Sequence, residues 1–100
     1  MNSLQKKNQQ DSASHRETFL ESFEKTLKSM DDISEVELLM KKLQFLGLNY
    51  DPFNSDISQE CGQIMDNLGI REHLLNPYQA TNILLRLLDK TEEQINKLKQ

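Results

Sequence analysis

Apolar residues recur at three- and four-residue steps over four stretches of the chain, and polar or turn-forming residues separate those stretches. Phe19, Leu20, Phe23, Leu27 and Met30 share one face of a helix predicted over 15–30, which Ser14-His15-Arg16-Glu17 opens as a capping box. Val36, Leu39, Met40 and Leu43, widened by Ile33, Phe45 and Leu46, predict a second helix over 33–46. Asp31-Asp32 offers its cap and Gly47-Leu48 its stop, since glycine takes the left-handed conformation and the next apolar residue folds back on the last turn. Ile57, Cys61, Ile64, Met65 and Leu68 predict a third helix over 56–68, capped by Ser55 or Asp56 and closed by Gly69-Ile70. Gly62 inside it costs helix propensity and suggests the close approach of another helix. Asn76-Pro77 opens the fourth and longest helix, 77–98, with Gln79 at the capping-box position.

That last helix is the organising feature. Leu84, Leu88, Thr91, Ile95 and Leu98 fall at alternating steps of four and three, the spacing of a coiled-coil seam. Ile83, Leu85 and Leu87 widen the stripe only in the first half. A helix of about 23 residues is roughly 35 Å long, more than the shorter helices are expected to flank. Residues 90–100 are therefore expected to protrude as a coiled-coil-like extension that pairs with a partner or a second copy. The alternative is that the whole seam is core of a four-helix bundle. Between the second and third helices, Asn49 to Asp56 is a loop by chemistry, because Pro52 drives Asp51 out of the helical region. Its aromatics, Tyr50 and Phe53, either plug the end of the helical core or anchor a partner. The candidate partner-binding residues are Leu84, Leu88, Thr91, Ile95, Leu98, Tyr50 and Phe53.

Composition supports an all-α reading. Three Gly and two Pro in 100 residues leave little turn chemistry for a many-stranded sheet. Residues 1–13 are rich in Gln, Asn, Ser and Lys with a single leucine, Leu4, and are expected to be a flexible, disordered tail. Residues 14–100 then form one small four-helix domain.

Charge narrows the partners. Residues 49–76 hold five carboxylates, Asp51, Asp56, Glu60, Asp66 and Glu72, against one cation, Arg71. Nucleic-acid binding needs a Lys/Arg patch to displace counterions, so it is disfavoured, as is contact with phosphate through helices three and four. The chain has no run of apolar residues suited to a signal peptide or a membrane span. Cys61 is the only cysteine, so no disulfide framework is available and an intracellular setting, cytoplasmic or nuclear, is the simplest home.

No catalytic constellation is recognisable. Cys61 lies on an apolar helix face and reads as a buried, inert thiol. His15 and His73 lack a second ligand at metal spacing and read as solvated residues. Asp51 to Asp56 lacks the central glycine and terminal glutamate of an EF-hand. No catalytic, cofactor or metal residue is assigned, and a non-enzyme without a cofactor is expected. The helix stops around Leu46-Gly47-Leu48 and Leu68-Gly69-Ile70 give a layout loosely similar to a sterile alpha motif. Tyr50 follows too closely, no tryptophan opens the first helix and Asn76-Pro77 breaks the approach to the last, so the family is not assigned. The expected function is a helical protein–protein interaction module, a small subunit or adaptor of a larger assembly, pairing through the C-terminal helix. The alternative is a transcriptional or replication regulator that contacts nucleic acid or masks a basic partner.

Overall fold

Helices account for nearly all the backbone, in the order α1 (Asn2–Ser29), α2 (Ile33–Asn49), α3 (Gln59–Leu68), α4 (Arg71–Leu74) and α5 (Pro77–Lys99). The structure, a computed structural model, describes the backbone of residues 2–100 and the side chains of residues 15–100. It is an all-α domain with no strand among the described residues. None of its described helices is long and apolar enough to cross a membrane.

The first helix is longer than predicted. Its backbone runs through Ser14 without a break, so the capping box is not a helix start. The side chains of residues 1–14, on which the reading of a tail rested, lie outside those described.

The second helix also overruns its predicted stop. Gly47 is helical, and the only positive φ among the described residues belongs to Gly69. A stop at Gly47 needs Leu48 folded back on the last turn, yet Leu48 is 86% exposed. The helix ends instead at Tyr50, whose N–H donates to the Leu46 carbonyl oxygen at 2.9 Å as its own backbone turns extended ahead of Asp51-Pro52. Asp32 caps the start by accepting from the Ser34 N–H.

The third helix begins three residues later than predicted, at Gln59, with Ser58 as its cap. Neither Ser55 nor Asp56 caps it, because the loop takes local turns of its own. Asp51 Oδ1 accepts from Phe53 N and Asn54 Oδ1 accepts from Asp56 N, both at 2.9 Å. The stop at Gly69 holds: φ is 69°, and Ile70 N donates to Met65 O at 3.0 Å. The expected linking turn closes into the single-turn α4. Asn76 caps α5 as predicted, accepting from Tyr78 N.

Gly62 makes room for a side chain rather than a helix. Arg71 Nη2 donates to the Gly62 carbonyl at 3.2 Å, and a Cβ at position 62 would lie 2.9 Å from that nitrogen. Arg71 Nε also donates to Asp66 Oδ1 at 2.6 Å, which ties α4 to α3. The displaced guanidinium is the end of a flexible chain, and alanine favours the helix by about 1 kcal/mol. Gly62→Ala is therefore expected to shift stability by less than about 1 kcal/mol in urea unfolding.

Two apolar clusters hold the domain together. The larger joins Leu20 of α1, Leu43 and Leu46 of α2, Cys61 and Met65 of α3, Ile70, Leu74 of α4, and Ile83 and Leu87 of α5. The smaller joins Leu27, Val36 and Ile95. Burial of each large aliphatic side chain stabilises by about 1.5–3 kcal/mol before entropy is charged against it. Polar ties follow the same path: Arg86 with Glu17, Lys90 with Glu24, and Gln94 with the Met30 carbonyl. Their order shows that α1 runs alongside α5 in the same direction. α2 returns antiparallel and shares the largest interface with α5.

This staggering places the C-terminal half of α5 inside the domain. Thr91 is fully buried, and Gln94 and Ile95 nearly so. Thr91 Oγ1 donates to the Leu87 carbonyl at 2.7 Å, so the hydroxyl that weakens an intermolecular seam is satisfied within its own helix. Residues 90–99 do not stand clear of α1 and α2, because both helices reach along them.

Glu24 gives the bundle a pH-sensitive tie. Hydrogen bonds from Lys90 (2.7 Å) and then Lys28 hold its carboxyl below the ordinary value. A depressed folded-state pKa stabilises at neutral pH, and that contribution is lost as pH falls through the depressed value. The wild-type Tm is expected to exceed that of Glu24→Gln at pH 7, and the difference to close on acidification. Thermal scans of both proteins from pH 7 to pH 3 check this.

Candidate functional site

The apolar surface left uncovered gathers where the end of α2, the following loop and the start of α5 meet. Gly47, Tyr50 and Pro52 form one side of a groove of about 120 Å³, and Thr81, Leu84, Leu85 and Leu88 form the other. A Cβ at Gly47 would meet nothing within 4 Å, so the missing side chain leaves the groove open. On α5, Tyr78, Thr81, Leu85 and Leu88 follow one another at helical spacing, and Tyr78 (88%) and Leu85 (57%) are exposed. Phe53 is 71% exposed and packs edge-to-face on Tyr78, with ring centroids 6.0 Å apart. Leu48, one residue past Gly47, adds another exposed aliphatic group.

Tyr50 both plugs the core and walls the groove. Its ring is half-buried, and its hydroxyl donates to the Leu74 carbonyl at 2.6 Å, joining the α2–α3 loop to α4. Burial pushes its pKa up, so the phenol stays protonated and donates. No charged residue lines the groove, and no Lys or Arg lies between Lys42 and Arg71 in the sequence. The nearest cation on α5, Arg86, faces Glu17 of α1 instead.

The candidate partner-binding residues thus divide. Tyr50, Leu84 and Leu88 line the groove, while Phe53 does not line it and packs on the exposed Tyr78. Thr91 and Ile95 are core, and Leu98 packs half-buried against the smaller cluster. Tyr78 and Leu85 were not among the partner-binding residues expected from the sequence, in which Leu85 only widened the stripe. Their step of seven was the available signal, but the stronger seam beside it, Leu84 to Leu98, absorbed the reading.

A second apolar groove, of about 320 Å³, lies where α1 and α2 diverge, lined by Phe23, Met30, Leu38, Leu39 and Leu68. Glu35 and Lys42 stand at its rim, so its charge selects no sign of partner.

The two histidines meet in space, and although His15 is exposed as expected, His73 is not a solvated residue. The His73 ring is nearly buried against Phe19, with centroids 4.0 Å apart and planes at 15°, and His15 stacks near it at 5.1 Å. Glu72 Oε1 lies 3.4 Å from His15 Nε2 and 3.5 Å from His73 Nε2. Burial pushes the His73 pKa down, opposed by the Glu72 carboxylate and reinforced by His15. One sequence signal was available: His15 precedes Phe19 by four residues and so shares the apolar face of α1. Cys61 is fully buried in the larger cluster, as its helix face predicts. Compared with protein-family models, curated proteins and solved structures, the chain matches none.

Proposed function

We propose that the protein is a non-enzymatic helical interaction module, a small subunit or adaptor that receives an apolar, basic-flanked segment of another protein in the α2–α5 groove. The observation that carries this reading is the exposure of Phe53, Tyr78 and Leu85 at an open groove that no cation lines. Contiguous exposed apolar surface marks interaction sites in soluble domains, and exposed aromatic residues are the usual anchors. Pairing still runs through the C-terminal helix, but by the 78/81/85/88 face rather than by the Thr91–Leu98 part of the seam, which the domain covers itself. The missing cations favour a partner with Lys or Arg beside its apolar anchors and disfavour nucleic acid. An intracellular setting, cytoplasmic or nuclear, fits the lone buried thiol.

The test uses the intact chain as bait, alongside Leu85→Glu in the first groove and Leu38→Glu in the second. The reading stands if a protein held by wild type and Leu38→Glu is lost with Leu85→Glu. Equal capture by all three, or loss only with Leu38→Glu, overturns it.

A further inference from the structure

We propose that His15, Glu72 and His73 form a binding site for a divalent zinc ion that clamps α1 to α4. The three donor atoms lie within 4.8 Å of one another, the one such set of metal-ligating groups among the described residues. An ion bound at 2.0–2.1 Å by a tetrahedral set holds its donors about 3.3–3.4 Å apart along each edge. Two edges already have nearly that length, 3.4 Å from His15 to Glu72 and 3.5 Å from His73 to Glu72. The third edge, between the imidazoles, closes by rotation of His15, whose side chain is 63% exposed.

The chemistry of the donors points to the same class of ion. Two imidazole nitrogens and one carboxylate oxygen are a zinc donor set that other first-row divalent metals share, whereas magnesium and calcium require oxygen ligands. His73 is held in place before any ion arrives, because its ring is nearly buried and stacks on Phe19 with centroids 4.0 Å apart. His15 and Glu72 meet through their side chains although they are 57 residues apart in sequence. An ion held by both converts that side-chain contact into a cross-link. Zinc binding is independent of the groove, so its failure leaves the proposed function untouched.

The experiment is titration of the full chain with zinc chloride by calorimetry at pH 7.2. Nitrogen-15 spectra of the imidazoles are recorded in parallel, with magnesium chloride as the control cation. Expected are one ion per chain with micromolar affinity, changes at both His15 and His73, and no response to magnesium. His15→Ala and Glu72→Gln, both at exposed positions, are expected to keep their helical circular dichroism and to weaken zinc at least tenfold. Zinc should raise the Tm of wild type and not that of His15→Ala. Affinity unchanged in either variant, perturbation of His15 alone, or binding only at millimolar zinc overturns the proposal.

Discussion

Removing residues 90–100 is expected to abolish cooperative folding rather than to release a folded monomer. A chain ending at Asp89 loses Thr91, Gln94 and Ile95, all buried, together with the half-buried Leu98. Leu27 and Val36 would then face water, because Ile95 is the third member of their cluster. Loss of Ile95 alone beyond its Cβ costs about 2–5 kcal/mol at a packed site. The truncation also removes Lys90 from Glu24, and it removes Gln94, whose Nε2 donates to the Met30 carbonyl at 2.9 Å where α1 ends. Domains of this size hold about 5–15 kcal/mol of stability in total, so the combined loss approaches all of it. Circular dichroism during urea unfolding should show a shallow, non-cooperative transition. A sharp transition with wild-type helicity would mean that the final eleven residues are an appendage after all.

The contrast between that outcome and the protruding extension expected from sequence shows what periodicity can and cannot carry. The 84/88/91/95/98 pattern identifies an apolar face of α5, whose C-terminal part the domain covers and whose Leu84 and Leu88 border the groove. It says nothing about what covers it. The length argument failed because it compared α5 with helices taken as shorter than they are, and it ignored stagger. α2 extends to Asn49, and α1 lies alongside the C-terminal half of α5, as Lys90–Glu24 and Gln94–Met30 record.

Local chemistry was legible where one interaction decides the outcome. Asn76 and Pro77 open α5, and Gly69 closes α3, because a cap and a positive φ depend on neighbours in the chain. Gly47 carries the same Leu-Gly-aliphatic signature but remains helical. What ends α2 is Pro52 downstream and the docking of the Tyr50 hydroxyl on Leu74, 24 residues away. The histidine cluster was illegible for a similar reason. It depends on the face that α1 presents to α4, and only His15's spacing to Phe19 hinted at it.

Tyr78→Ala combined with Leu85→Glu is expected to weaken partner binding by a factor of roughly 100 or more, with the Tm almost unchanged. Both residues are exposed on the isolated domain, so neither substitution opens a cavity or leaves a buried polar group unpaired. Their value is realised only when a partner desolvates them. Truncating a central aromatic or aliphatic anchor commonly costs 2–4 kcal/mol of binding, and 1.4 kcal/mol is a tenfold change in affinity. Leu85→Glu adds a further penalty, since a carboxylate on an already cation-free rim must be buried against the partner's apolar anchor. Gly47→Leu approaches the same groove from its opposite wall. It projects a side chain into open space and should improve helix propensity while occluding the site. Surface plasmon resonance against the captured partner, with thermal scans of each variant, separates binding from stability. If affinity falls only in proportion to a fall in Tm, the surface is structural. If all three substitutions bind as wild type does, the interaction lies elsewhere on the domain.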